Sequence, residues 1–220
     1  MKFSKQTLAV LKNFANINSH LLIKQGQKLE TISAQKNVMA SVSVTETFPS
    51  EFGIYDLNEF LGAMSLFEDP DLDFSDKSVT ISQGGNSIKY YAAAAENLTA
   101  PPSKEVQLPS EDVTFRLNTD TFAMIQKTAS VLHSGDVSVI GDGSQLKIVV
   151  ADKKNSTSNA FESVIGSTDK SFQANLKVDN LKMIPGEYDV TISAKRISKF
   201  KAPNSDLQYF VAVEADSTFA

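Results

Sequence analysis

The sequence has no cysteine and no tryptophan, and only two histidines in 220 residues. Without cysteine there is no disulfide framework and no thiolate nucleophile, and a structural zinc site is effectively excluded because His20 and His133 are the only soft donors. Neither histidine sits in an HxxxH or HxE arrangement, so both read as structural or surface residues. No uninterrupted apolar run approaches the roughly 18 residues of a membrane span, and the polar start "MKFSKQT" lacks a secretory h-region. The expectation is a cytoplasmic protein, in which the glycosylation triplets at Asn97 and Asn155 are matches by chance. The longest acid-free stretch is at the start. The first carboxylate is Glu30, after Lys2, Lys5, Lys12, Lys24 and Lys28, although the whole chain carries 21 Lys+Arg against 26 Asp+Glu, a net charge of -5.

Catalytic scaffolds are absent as well. There is no GxxxxGK(S/T) loop, no GxGxxG between strand and helix and no GxSxG elbow, so nucleotide hydrolysis and α/β-hydrolase chemistry lack their usual supports. Asp69, Asp71 and Asp73 occupy the first, third and fifth positions of a calcium loop, but Phe74 stands where the turn glycine belongs and Thr80 where the bidentate Glu belongs. A solvated acidic turn is expected there. No metal or other cofactor is implied, and an enzyme would need scattered carboxylates or histidines to meet in a cleft.

What is present is ordinary globular material, 41% hydrophobic and 21% charged, long enough for one large domain or two of about 110 residues. Ser4 can cap a helix whose Leu8, Leu11 and Ala15 recur at helical spacing, with Phe14 beside them. "HLLIK", "KLETIS" and "VMASVSV" then read as a hairpin meander, and "FGIYD" as a strand leading into the helix "DLNEFLGAMSLF". Asp56 and Glu59 hold capping-box positions there, and Tyr55 is placed to staple onto Phe60. "DLDFS", "SVTIS" and "SIKYYAAAA" close a first unit. After the polar, proline-containing "ENLTAPPSKEVQLPSED" the order repeats: strand "VTFRL", helix "NTDTFAMIQKTASVL", strands "VSVIG", "QLKIVVAD", "SNAFESVIG" and "SFQANL". A short helix "KVDNLKMI" stopped by Pro185-Gly186 and strands "EYDVTIS", "RISKFK" and "LQYFVAVEA" complete it. The spacing predicts an α+β fold made of one unit used twice, 1–96 and 112–220, joined by a connector at 97–111.

The helices carry a charge pattern. Lys5, Ala9, Lys12 and Asn16 share one face of the first helix, opposite Leu8 and Leu11. In the third, Ala123, Lys127 and Ser130 make the corresponding stripe, with Phe122, Ile125, Ala129 and Leu132 behind it; the fourth offers Lys177 and Lys182. The second is neutral at Asn58, Gly62 and Ser65. Over these four segments five lysines face four acids, so the remainder of the chain is the more acidic part.

The stretches "LKNFANINS", "IYDLNEFLGAMSL", "MIPGEY" and "VAVEADST", spread in order over both halves, resemble the DNA polymerase sliding clamps of large tailed bacteriophages. The resemblance implies a duplicated clamp domain with two helices packed on antiparallel sheets in each half, and a homotrimer closing into a ring around duplex DNA. It implies no catalysis. It makes Lys5, Lys12, Asn16, Lys127, Lys177 and Lys182 candidates for sequence-independent phosphate contact. Ring closure would pair the last strand of the first half, with Tyr90 and Tyr91, and a strand of the second, with Phe161, Val164 and Ile165. A pocket for partner peptides would involve Val106, Leu108 and Pro109 of the connector with Val213 and Ala215 of the C-terminal strand. The implied partners are a phage replicative polymerase, an ATP-dependent clamp loader and late-transcription factors, in the cytoplasm of an infected bacterial host. The competing expectation is a monomeric two-domain binding module without a nucleic-acid role.

Overall fold

A computed structural model describes residues 1–155 and 157–219, and the chain divides into two units, Met1–Glu105 and Val106–Ala220. In the first, helix α1 spans Lys5–Ala15, and the Ser4 side chain accepts the Thr7 N–H at 3.1 Å. Its buried stripe is Thr7, Val10, Leu11 and Phe14, while Leu8 and Ala15 are half-buried. The expected stripe is therefore rotated toward Thr7. A threonine can occupy the core here because its hydroxyl donates to the Glu46 carboxylate, which also accepts the Ser4 N–H.

Strand β1 (Leu21–Ile23) pairs with β4 (Phe52–Ile54), whereas β2 (Gly26–Ile32) and β3 (Val38–Phe48) form an antiparallel hairpin. This corrects the expected three-strand meander. Three residues of β1, all at least half-buried, match the fully buried β4 better than the half-exposed start of β2. Gly53 in β4 is required: a Cβ there would sit 2.2 Å from the Ala93 carbonyl oxygen. Helix α2 (Leu57–Ser65) is capped by Asp56, which accepts the N–H groups of Asn58 and Glu59. Tyr55 does not staple onto Phe60. Its exposed ring lies 4.7 Å from that of His20, and Phe60 packs edge-on against Tyr90 instead. Strands β5 (Asp71–Phe74), β6 (Ser78–Gln83) and β7 (Asn86–Tyr91) make a three-stranded antiparallel sheet with β7 at one edge. The unit's core gathers Leu11, Phe14, Leu29, Phe48, Phe52, Ile54 and Phe60. Burial of such side chains is the main driving force for its folding.

In the second unit β8 (Val113–Leu117) leads through the Asn118 cap into α3 (Thr119–Leu132), which buries Phe122, Ile125 and Ala129. His133 ends the helix at φ 50°, a left-handed cap. Strands β9 (Asp136–Asp142), β10 (Gln145–Ala151), β11 (Ala160–Ser167), β12 (Ser171–Lys177) and β16 (Thr218–Phe219) form a sheet in the order β11-β10-β9-β12-β16. Strands β13 (Tyr188–Ser193), β14 (Ile197–Lys201) and β15 (Gln208–Ala212) continue antiparallel from β8, in the order β8-β13-β14-β15.

The expected helix over 177–184 is not formed; only a 3-10 turn, Val178–Asn180, is helical. Its backbone is satisfied elsewhere. The Gln126 amide donates to the Leu181 carbonyl at 2.8 Å, the Ile184 N–H donates to the Tyr209 hydroxyl at 3.1 Å, and the Tyr188 hydroxyl donates to the Ile184 carbonyl. Leu181 and Met183 point inward with Lys182 exposed between them, the alternation of an extended chain. Burial pushes the Tyr209 hydroxyl up to about 12 and Tyr188 higher still.

Candidate nucleic-acid interface and sheet edges

The solvent face of α1 is made by Lys5, Gln6, Ala9, Lys12 and Asn16, all exposed. No acid occurs within the helix, and among the described residues neither Lys5 nor Lys12 joins an ion pair. The two lysines are seven residues apart, two turns or about 10 Å along the axis. Lys12 lies in the last turn, where the helix dipole favours a cation; Lys5 lies in the first, where it does not. Glu46 compensates beneath that first turn. Burial acts to raise its pKa, but hydrogen bonds from Thr7 and Ser4 outweigh it and hold the carboxyl below its ordinary value. The Lys5 end of the helix thus stays neutralised from below while its outer face remains purely cationic. On α2 the exposed Asn58, Gly62 and Ser65 are uncharged.

In the second unit Lys127 stands exposed on α3 beside Ala123 and Ser130, on a face that also shows Met124 and Val131, the latter 67% exposed. Lys182 is exposed after the 3-10 turn rather than on a helix. Lys177 ends β12 and points at Asp136, with 2.5 Å between Nζ and Oδ1. Asp136 is buried and also lies 3.7 Å from Lys153, whose Nζ is 2.8 Å from Asp216. The hydrogen bond to Asp136 holds the Lys177 pKa above its ordinary value. Next to α3, a cavity of ≈ 510 Å³ is lined by Gln126, Ser130, His133, Ser134 and Asp179 among others.

The residues expected at a subunit contact lie on two sheet edges, β7 and β11. On β7, Ile88 and Tyr90 are opposite the fully buried Ile81 and Val79, so they face their own core, and the Tyr90 hydroxyl donates to the Asp56 carbonyl at 3.2 Å. Tyr91 faces outward and is 68% exposed, with the Lys89 ammonium 5.4 Å from its ring centre. On β11, Phe161 and Ser163 face the core opposite Val150 and Ile148, while Glu162 and the 54% exposed Val164 face outward. Ile165 is the extra residue of a bulge between the Lys147 and Leu146 pairings. Lys89 and Glu162, which were not singled out from the sequence, lie on the outer faces of the same two edges.

Of the residues expected at a partner pocket, Val106 and Leu108 are half-buried, Val213 is buried with its N–H donating to the Arg196 carbonyl, and Pro109 and Ala215 are exposed. A second cavity, ≈ 260 Å³, lies elsewhere in this unit, between Ile184–Tyr188 and the 202–207 turn.

Known proteins match along the whole length. A family model described as DNA polymerase processivity factor matches residues 3–100, and one described as gp45 sliding clamp, C terminal, matches 105–215. The sliding clamp of Vibrio phage KVP40 is 32% identical over 223 residues, 98% of this chain and 100% of that protein. The sliding clamp of Escherichia phage RB69 is 30% identical over 239 residues, covering 99% of each. Among solved structures, the DnaN sliding clamp of Bartonella birtlesii superposes with a TM-score of 0.72 at 16% identity, over 97% of this chain and 64% of that one. A. fulgidus PCNA bound to the C-terminal region of FEN-1 gives a TM-score of 0.68 at 12% identity, over 96% of both chains.

Proposed function

The chain belongs to the phage sliding-clamp family of DNA polymerase processivity factors, and from that premise we propose that three copies close a ring around duplex DNA and tether a phage replicative polymerase to it. The observation that carries this reading is coverage: clamp relatives align with both units from end to end. The role is mechanical rather than catalytic. A closed ring stays on DNA by topology and needs only weak contacts, which suits two exposed lysines and an amide on α1 rather than a dense basic surface.

In this reading Lys5, Lys12 and Asn16 meet backbone phosphates, with Lys127 and Lys182 contributing from the second unit. Such contacts read no sequence and weaken steeply with salt. Lys177 contributes less, because reaching a phosphate would strip Asp136 of its closest cation. The acidic remainder of the chain discourages DNA from adhering outside the ring. Edges β7 and β11 supply the joints, an economical use of backbone that otherwise invites aggregation. Short hydrophobic peptides of the polymerase, and of a clamp loader or late-transcription factors, dock on a surface to which Val106, Leu108, Pro109, Val213 and Ala215 contribute. The work is done in the cytoplasm of an infected bacterium.

Sedimentation equilibrium tests the ring. Three copies of the 23.9 kDa chain give a species of about 72 kDa at micromolar concentration. A species of 23.9 kDa at every concentration would instead favour a monomeric binding module.

A further inference from the structure

Resting on that ring and on its β7–β11 joint, we propose the register of the joint: the two edges pair with Lys89 opposite Glu162 and Tyr90 opposite Phe161. Side chains alternate across a strand, so each edge offers two faces and only half of all registers keep both cores on one side. Ile88 and Tyr90 turn toward the core of the first unit, Phe161 and Ser163 toward that of the second. A continuous sheet must align these faces, which places Lys89 and Tyr91 on the same outer surface as Glu162 and Val164.

Among the antiparallel registers that remain, the choice is made by charge and ring pairing. One sets Lys89 against Glu162, Tyr90 against Phe161, Ile88 against Ser163 and Ser87 against Val164. Sliding by two residues one way sets Lys89 against Val164 and Tyr91 against Glu162; sliding the other way sets Lys89 against Ala160 and Ser87 against Glu162. Only the first unites opposite charges and two aromatic rings directly across the joint, the pairs that stabilise antiparallel neighbours. An antiparallel joint continues the direction of the described ladders within both units. Glu162 is already 3.1 Å from Lys147, which lies 3.6 Å from Asp142, so Lys89 would complete an alternating row of charge across the boundary.

The absence of native cysteine makes the register directly testable. With Ser87→Cys and Val164→Cys in one chain, mild oxidation should give covalent trimers, because directly opposite Cβ atoms lie about 4.5–5.5 Å apart and a shift of about 1 Å brings them to disulfide distance. With Tyr91→Cys and Val164→Cys, four positions out of line, it should give none. Trimers from the second pair and not the first would overturn the register, and so would a wild-type trimer in which neither pair links. A wild-type chain that never exceeds the monomer mass fails the ring itself, a different result. Independently, Lys89→Glu should weaken assembly about tenfold, and adding Glu162→Lys should recover most of that loss at low salt. Recovery no better than either single variant would also overturn the pairing.

Discussion

Among the described residues the first unit leaves its helix lysines out of ion pairs, whereas the second ties several of its strand and turn cations to acids. On α1, Lys5 and Lys12 stand on an acid-free face; in the second unit Arg116 lies 2.7 Å from Glu187, Lys147 3.1 Å from Glu162, Lys153 2.8 Å from Asp216 and Lys177 2.5 Å from Asp136. A count of charges treats these alike. The field a surface projects does not, because a paired lysine and its acid cancel at any distance beyond their separation. The same contrast holds for backbone: the first unit closes its polar groups in two helices, while the second replaces one helix with an extended segment held by two buried tyrosines.

The largest expected effect breaks the electrostatic side of this contrast. Lys5→Glu with Lys12→Glu should leave the trimer mass unchanged, shorten retention on circular DNA at least about tenfold and flatten the salt dependence of binding by about two contacts per copy. Lys127→Glu, on the mixed face of α3, should cost about one contact at most. Equal losses from the two helices, read by surface-bound DNA dissociation at several salt concentrations, would erase the distinction between the units.

Next in size is the tyrosine-held segment. Tyr209→Phe leaves the Ile184 N–H without its acceptor and should lower stability by about 1–2 kcal/mol in urea titrations. It also has a pH signature. The folded value of about 12 lies above the ordinary 10.0, so the native state keeps a proton that the unfolded chain gives up. The stability this contributes is whole below pH 10 and drains away between 10 and 12, and Tyr209→Phe should reduce that alkaline loss.

The smallest effect concerns the support beneath α1. Glu46→Gln should cost about 1 kcal/mol, since a neutral amide still accepts a hydrogen bond but no longer faces the helix N-terminus with a full charge. The folded pKa lies below the ordinary 4.5, so the contribution is present above that value and fades as pH falls through the lower one. The variant should therefore lose less stability than wild type on acidification, as circular dichroism melts at stepped pH would register.

Most strands and all three α-helices were legible because their patterns are local: Asn118 caps a run with Phe122, Ile125 and Ala129 at helical spacing, and "VTFRL" alternates. The failures share one cause. "KVDNLKMI" has a helix-compatible spacing, but its outcome turned on Gln126 and Tyr209, 55 and 25 residues away. Thr7 entered the core because Glu46, 39 residues on, satisfies its hydroxyl. Tyr55 lost its staple because Phe60 found Tyr90.

By itself the sequence determined the doubled α+β order and the acid-free first helix, since each depends on neighbours within a turn or a strand. Only the tertiary structure decided which lysines remain free, which strand pairs with β1 and whether 177–184 coils. Those outcomes depend on polar groups far apart in the chain, and a buried donor or charge settles wherever its partner is.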